Sequence, residues 1–290
     1  MASFTYVKHK DLTGLLPDLA EAGEKGAVLA GGTDLLLGIK AGRKKPEVVF
    51  DVSEIAEMQD IRDEGPLLRI GAGVRMADLA VAKPVIAEAG FLAQAASLMG
   101  SPQIRNKATI GGNINTASPA GDTIAPLWAA GARVRLSGLG RVREADLEDY
   151  ILGPGRVDLK PGEILTDILI PKPKPGRRTH FLKTGRRKAL FISIVNAAGW
   201  MEFDAEGAVG DLRLVLGAVA PTPLRVTEAE DFIRGRKPEP KLLAEAAAKA
   251  AGQCRPITDI RGTAEGRRLL AEAWTLRLLE ILTETAKGRG

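Results

Sequence analysis

The chain has 290 residues, 45% of them hydrophobic and only 4% aromatic, with 41 basic and 36 acidic side chains. That length suits about two domains and a sizeable core, built here from Ala, Leu, Ile and Val. The net charge of +5 is spread among acidic residues, and few aromatics are present to stack on bases; this argues against nucleic acid and suits a docking face for acidic partners or a seat for a pyrophosphate.

Phe4 to Lys8 alternates as a short strand. Asp11 to Ala22 reads as a helix, with Asp11 as N-cap, Gly23 as stop and Pro17 as a kink or a delayed start. Ala27 to Ala30 is an apolar strand running straight into Gly31-Gly32-Thr33-Asp34. Leu35 to Lys40 makes a helical turn, Lys44-Lys45-Pro46 a turn, and Glu47 to Val52 a strand. Leu67 to Ile70 is a strand followed by a helix from Met76. Phe91 to Leu98 is helical, and Arg133 to Leu136 is a strand. Short strands mixed with short helices predict α+β packing. The prolines between Ile170 and Arg178 predict a linker whose positive charges face solvent. Beyond it, Ile192 to Phe203 and Asp211 to Val219 read as strands joined through Ala205-Glu206-Gly207. Leu242 to Ala251 and Ala264 to Leu282 read as helices.

The residue types exclude much chemistry. A lone cysteine, Cys254, makes no internal disulfide, four-cysteine iron–sulfur site or zinc ribbon. His9 and His180 are far apart and have no metal-ligand spacing. The N-terminus lacks an apolar signal core, and no apolar run approaches the ~20 residues of a membrane span, so a soluble cytoplasmic protein is expected. Gly71-Ala72-Gly73 starts like a dinucleotide fingerprint, but Met76 stands where the third glycine belongs. Two glycine pairs remain, Gly31-Gly32 and Gly111-Gly112. Such pairs let backbone amides approach an anion without Cβ clashes, and Thr33 and Thr109 add hydroxyls. Each pair alone reads equally as an ordinary tight turn.

The two loops have a wider context. LAGGTDLLLGIKAGR (29–43) and ATIGGNINTASPAGDTIAPL (108–127) resemble the flavin-binding signatures of the FAD-binding medium subunit of molybdenum hydroxylases. This is the family of bacterial xanthine dehydrogenase, carbon monoxide dehydrogenase and 4-hydroxybenzoyl-CoA reductase. LRIGAGVRMADL (68–79), GEIL (162–165), FLKTGRRKALFISIV (181–195) and DIRGTAEGRRLL (259–270) follow in the family's order, so the resemblance spans nearly the whole chain.

The resemblance implies a vanillyl-alcohol-oxidase (PCMH) type FAD-binding domain of two lobes over residues 1–175. A C-terminal α+β domain, with a three-stranded antiparallel sheet and helices, would follow over 176–290. It implies noncovalent FAD held at the pyrophosphate by Ala27, Val28, Leu29, Ala30, Gly31, Gly32, Thr33 and Asp34. A second loop of Thr109, Ile110, Gly111, Gly112 and Asn113 would lie beside the pyrophosphate and ribityl chain, with contacts from Thr116 and Ser118. Asp122 matches a carboxylate that accepts hydrogen bonds from ribityl or ribose hydroxyls. Met99 and Gly100 match cleft-lining positions, and Leu165 and Lys183 match residues beside the isoalloxazine. A cation at Lys183 would raise the flavin's reduction potential; the other reading is a solvated lysine in the run Lys183, Arg186, Arg187, Lys188. Ile192 matches an aliphatic residue lying over the flavin ring, or is a core strand residue. Phe191 stands where many relatives have a small or acidic residue and would narrow the approach to the flavin. No cysteine-rich insertion for an extra cluster is present.

By the same resemblance, molybdopterin belongs to a large partner subunit and 2Fe-2S clusters to a small one, in a dimer of heterotrimers. Electrons would pass through FAD to NAD, oxygen or a quinone, and this chain would supply no catalytic acid, base, nucleophile or metal ligand. A free-standing flavoenzyme of the same fold, such as an enolpyruvyl-sugar reductase, and a flavin-free scaffold subunit are the alternatives.

Overall fold

The computed structural model describes residues 3–185 and 192–284. The chain begins with β1 (Thr5–Lys8), α1 (Leu12–Ala22), β2 (Gly26–Leu29), α2 (Leu35–Lys40) and β3 (Val48–Asp51). The strands form a parallel sheet in the order β1-β3-β2. Parallel neighbours need crossovers, which α1 and α2 supply. Asp11 caps α1 by accepting from the Gly14 amide at 2.7 Å, and Gly23 ends it at φ +52°. The helix continues through Pro17 and buries Leu15 and Leu19.

The second lobe contains β4 (Ile61–Glu64), β5 (Leu67–Gly71), α3 (Met76–Val81), α4 (Lys83–Glu88), α5 (Gly90–Leu98), α6 (Pro102–Arg105), α7 (Ile110–Thr116) and α8 (Ile124–Ala130). It continues with β6 (Arg133–Gly138), β7 (Arg141–Asp146), α9 (Leu147–Tyr150), β8 (Ile151–Gly153), β9 (Arg156–Val157) and β10 (Glu163–Pro171). Five strands pair antiparallel in the order β4-β5-β10-β6-β7. The last strand in sequence thus takes the centre of the sheet. Its near-continuous apolar run suits a strand buried on both faces, and Glu163 through Ile170 are all buried. A register shift between Leu165 and Asp167 lets the Thr166 carbonyl accept from the Ala72 amide at 2.8 Å. Buried Asp167 is satisfied by an ion pair with Arg69.

The remainder is β11 (Arg178–Thr184), β12 (Val195–Phe203), β13 (Val209–Gly217), β14 (Leu224–Arg225), α10 (Thr227–Ile233), α11 (Pro240–Gln253) and α12 (Ala264–Thr283). The expected three-stranded antiparallel sheet gains a fourth strand, β14, whose two residues pair with Val215 and Leu216. Side chains alternate across this sheet. Phe181, Ala198, Trp200 and Val215 join the core of the second lobe. Val195, Ala197, Met201 and Leu214 pack with Leu243, Leu278 and Leu282 of the helices. Trp200 Nε1 donates to the Ala129 carbonyl at 2.7 Å, and the Phe181 amide to Gln94 Oε1 at 3.0 Å. The sheet is therefore a wall shared by two cores.

The proline-rich stretch is, as expected, a connection: β10 ends at Pro171 and β11 begins at Arg178, with residues 172–177 in irregular structure and a turn. Two sequence expectations change here. The charge of this stretch is not simply solvated: Arg177 lies 3.8 Å over the Trp200 ring and pairs with Glu202 at 2.7 Å. Ile192 precedes β12 rather than lying within it. Among the described residues no helix is long and apolar enough to cross a membrane, and no group of His, Cys, Asp and Glu is placed to hold a metal. Cys254 is buried, which pushes its thiol up to about 11.

Candidate functional site

A cleft of about 1350 Å³ has walls from both lobes, above the roughly 300–1,000 Å³ of ordinary small-molecule pockets. Ala27, Val28, Ala30, Gly31, Gly32, Thr33 and Asp34 line it from the first lobe. Met99, Gly100, Thr109, Gly111, Gly112, Asn113, Thr116, Ser118, Asp122 and Leu165 line it from the second, with Ile192 from the segment before β12. Of the expected residues, Leu29, Ile110 and Lys183 are not in the lining. Ile110 is fully buried in the core, and Leu29 is the last residue of β2.

The first glycine loop leaves β2 and turns at Gly32, whose φ of +72° is a left-handed conformation that side-chain-bearing residues rarely adopt. A Cβ on Gly31 would overlap the Lys107 carbonyl, so the two lobes meet backbone to backbone here. The amides of Gly31, Gly32, Thr33 and Asp34 have no acceptor among the described residues. These residues line the cleft, and successive amides without an acceptor of their own suit an anionic pyrophosphate.

The second loop differs. Thr109 pairs with Arg75 in an isolated bridge and caps α7, its hydroxyl accepting from the Gly112 amide at 3.1 Å. The pair Gly111-Gly112 therefore opens a helix rather than forming a free turn. A Cβ on Gly111 would come 2.6 Å from Ala72 Cβ, so this glycine serves packing inside the second lobe. A Cβ on Gly112 would meet only Thr109 Oγ1, at 3.0 Å, which leaves its face open to a ligand. Thr116 joins the loops: its hydroxyl donates to Gly112 O at 2.9 Å and lies 3.3 Å from Asp34 Oδ2. The two glycine loops line one cleft, and the acceptor-free amides of Gly31 to Asp34 fit the phosphates of a dinucleotide.

Asp122, 5% exposed, is held on both oxygens. Lys183 Nζ donates to Oδ2 at 2.7 Å and to the Leu98 carbonyl at 3.1 Å, and Ser193 Oγ donates to Oδ1 at 2.6 Å. Burial pushes the Asp122 carboxyl above the usual carboxylate range, against the opposing pull of Lys183 and Ser193. The lysine, with a side chain 1% exposed, sits behind Asp122 and is not a solvated member of a basic run. Arg186, Arg187, Lys188 and Phe191 lie outside the described residues. Ile192 is 64% exposed and lines the cleft, so the core-strand reading is set aside in favour of a side chain at the mouth.

Sequence reasoning missed several contributors. Arg43, Lys44 and Lys160 bring positive charge to the lining. Lys160 and Glu163 belong to a wall fastened by Arg143, whose Nη2 pairs with Glu163 Oε2 at 2.8 Å and whose Nη1 pairs with Asp158 Oδ2 at 2.9 Å. Burial would raise Glu163, but Arg143 and the Lys160 amide hold it below its ordinary value. Ser193 lay inside a quoted motif, yet nothing local marked it as the partner of Asp122.

Comparison with known proteins places the chain in a family. Residues 2–173 match the model of the FAD binding domain in molybdopterin dehydrogenase, and residues 180–282 that of the CO dehydrogenase flavoprotein C-terminal domain. The chain is 34% identical over 212 residues to the nicotinate dehydrogenase FAD-subunit of Eubacterium barkeri, covering 72% of each. It is 30% identical to the carbon monoxide dehydrogenase medium chain of Hydrogenophaga pseudoflava, over 95% of this chain and 96% of that one. Reconstituted CO dehydrogenase from Oligotropha carboxidovorans superposes with a TM-score of 0.92 at 30% identity, over 97% of this chain and 98% of that one. The chain belongs to the family of FAD-binding medium subunits of molybdenum hydroxylases, which are parts of oxidoreductases.

Proposed function

We propose that this chain holds one noncovalent FAD in the cleft and relays electrons within a molybdenum hydroxylase complex. The observation that carries the reading is the meeting of the two glycine loops at one cleft, lined by Gly31 to Asp34, whose amides have no acceptor among the described residues. Neither histidine nor Cys254 is in the lining, which supports noncovalent attachment. Gly31 to Asp34 and Gly112 would hold the pyrophosphate, with Arg43 and Lys44 adding charge. Asp122 keeps an unshared lone pair on each oxygen for ligand hydroxyls. Leu165 and Ile192 would flank the ring, and Lys183 acts through Asp122. FAD bound between these residues would supply the chemistry to accept single electrons from iron–sulfur clusters and deliver two to an external acceptor.

The partners in this reading are a large molybdopterin subunit and a small 2Fe-2S subunit, in a doubled heterotrimer in the cytoplasm. The acceptor is NAD, oxygen or a quinone. The test is to purify the chain alone and precipitate it with acid, which should release all the yellow colour. Under anaerobic conditions, candidate substrates should bleach the flavin only after both partner subunits are restored. Bleaching by an organic substrate without partners would favour a free-standing flavoenzyme, and absence of any chromophore a scaffold.

A further inference from the structure

The stretch Asp259 to Leu270 matches the family pattern, yet none of it lines the cleft. Its central residue is Arg267, on α12, which is 3% exposed. Nη1 donates to the Ile194 carbonyl at 3.0 Å and to the Ala218 carbonyl at 2.9 Å, and Nη2 donates to Asp259 Oδ1 at 2.7 Å. Asp259 also accepts from the Arg261 amide at 2.8 Å. Thr263 caps α12 by accepting from the Gly266 amide at 3.0 Å, which fixes where the helix presents Arg267.

Both carbonyls belong to segments that reach the cleft. Ile194 follows Ser193, the donor to Asp122, and lies two residues from Ile192 at the mouth. Ala218 has φ +64°, a left-handed conformation unfavourable for a residue with a Cβ. Such a residue persists where its surroundings over-determine it. Here the Ala218 amide donates to the Pro119 carbonyl at 2.7 Å, and Pro119 lies between the cleft residues Ser118 and Asp122. One guanidinium thus sets the spacing between the segment that clamps Asp122 and the turn that anchors the loop carrying it.

We infer that Arg267 is a positioning residue for the cofactor cleft, fixing Asp122 and the Ser118–Asp122 loop through the Ile194 and Ala218 carbonyls. The inference rests on the FAD reading for its consequence but not for the coupling itself. A planar fork is required, because a single ammonium does not reproduce three directed bonds.

The test uses Arg267→Met and Arg267→Lys beside a control, Arg225→Met. The control breaks a 2.8 Å pair with Glu230 in which neither carbonyl takes part. Hydrogen exchange is first measured on the flavin-free chain. In Arg267→Met the amides of 192–195 and 120–122 should exchange faster by roughly ten- to a hundred-fold, the equivalent of a lost charged hydrogen bond. In Arg225→Met they should stay at the wild-type rate. FAD affinity should fall by a similar factor in Arg267→Met, stay low in Arg267→Lys and hold in Arg225→Met. Unchanged exchange in both segments, full rescue of affinity by lysine, or equal loss of affinity in the control would overturn the inference. A wild-type chain that binds no FAD would sink the functional reading instead, and the exchange data would still decide the coupling.

Discussion

The two glycine pairs look alike in sequence and do different work. In the first, Gly31 is needed for the contact between lobes and Gly32 for a positive φ. In the second, Gly111 is needed for packing within one lobe, while Gly112 sits in α7 with space before it. Of the four, Gly112 is the one whose added Cβ would meet only a side-chain oxygen, so on the proposed reading its bareness would serve the ligand more than the fold. A shared motif does not mean a shared physical cause, and substitution separates the causes.

The largest effect is expected from Gly31→Ala. Its Cβ would overlap the Lys107 carbonyl and fall within 2.5 Å of the carbonyl carbon, and backbone cannot rotate aside. Unfolding free energy should drop by about 3 kcal/mol, the upper range of overpacking, and FAD should be lost; denaturant titration and the flavin spectrum measure both. A stable, yellow Gly31→Ala protein would mean that the lobes do not meet as described. Gly112→Ala should split the two readouts. Alanine favours a helix over glycine by about 1 kcal/mol, which offsets the crowding of Thr109, so stability should move by less than that. FAD affinity should still fall roughly tenfold, about 1.4 kcal/mol. Equal losses of stability and affinity would erase the distinction between the pairs.

The smallest effect concerns the third wall, which is held by charge rather than by glycine. Asp158 is lowered by the Lys160 hydrogen bond, then by Arg143; Glu163 is lowered by Arg143 and the Lys160 amide in spite of burial. With folded values below the unfolded ones, their contribution is present above about pH 4 and is lost as pH falls through the folded values. Thermal midpoints of Arg143→Met should therefore show a shallower acid limb than wild type, while those of Gly112→Ala should parallel it. An acid slope unchanged by Arg143→Met would place the acid sensitivity elsewhere.

What the sequence made legible follows from range. The strand ending at Leu29 and the turn after it are local signals, as are the Asp11 cap and the alternation from Phe4 to Lys8. β10 was hidden because apolar residues buried on both faces do not alternate and prolines follow at once. Ser193, Arg143 and Arg267 were hidden because each acts on a residue or carbonyl far along the chain: Ser193 meets Asp122 across 71 positions and Arg267 meets Ile194 across 73. The cleft-facing glycines were found, and the polar frame behind them was not. Lys183 is legible as a matched residue, but its bond to Asp122 is not, because sequence order does not reveal which layer a side chain occupies.

The Asp122–Lys183–Ser193 cluster also bears on how the protein is made. During synthesis the two lobes leave the ribosome first, but the lysine that neutralises Asp122 emerges 61 residues later and the serine 71 later. A nascent chain that stops after the lobes exposes a carboxylate with neither partner in place. Domains fold as units in order of emergence, but Asp122 reaches its final setting only once Lys183 and Ser193 have emerged. On the proposed function, the yellow colour of a preparation would then report chains finished through their C-terminal sheet as well as intact glycine loops.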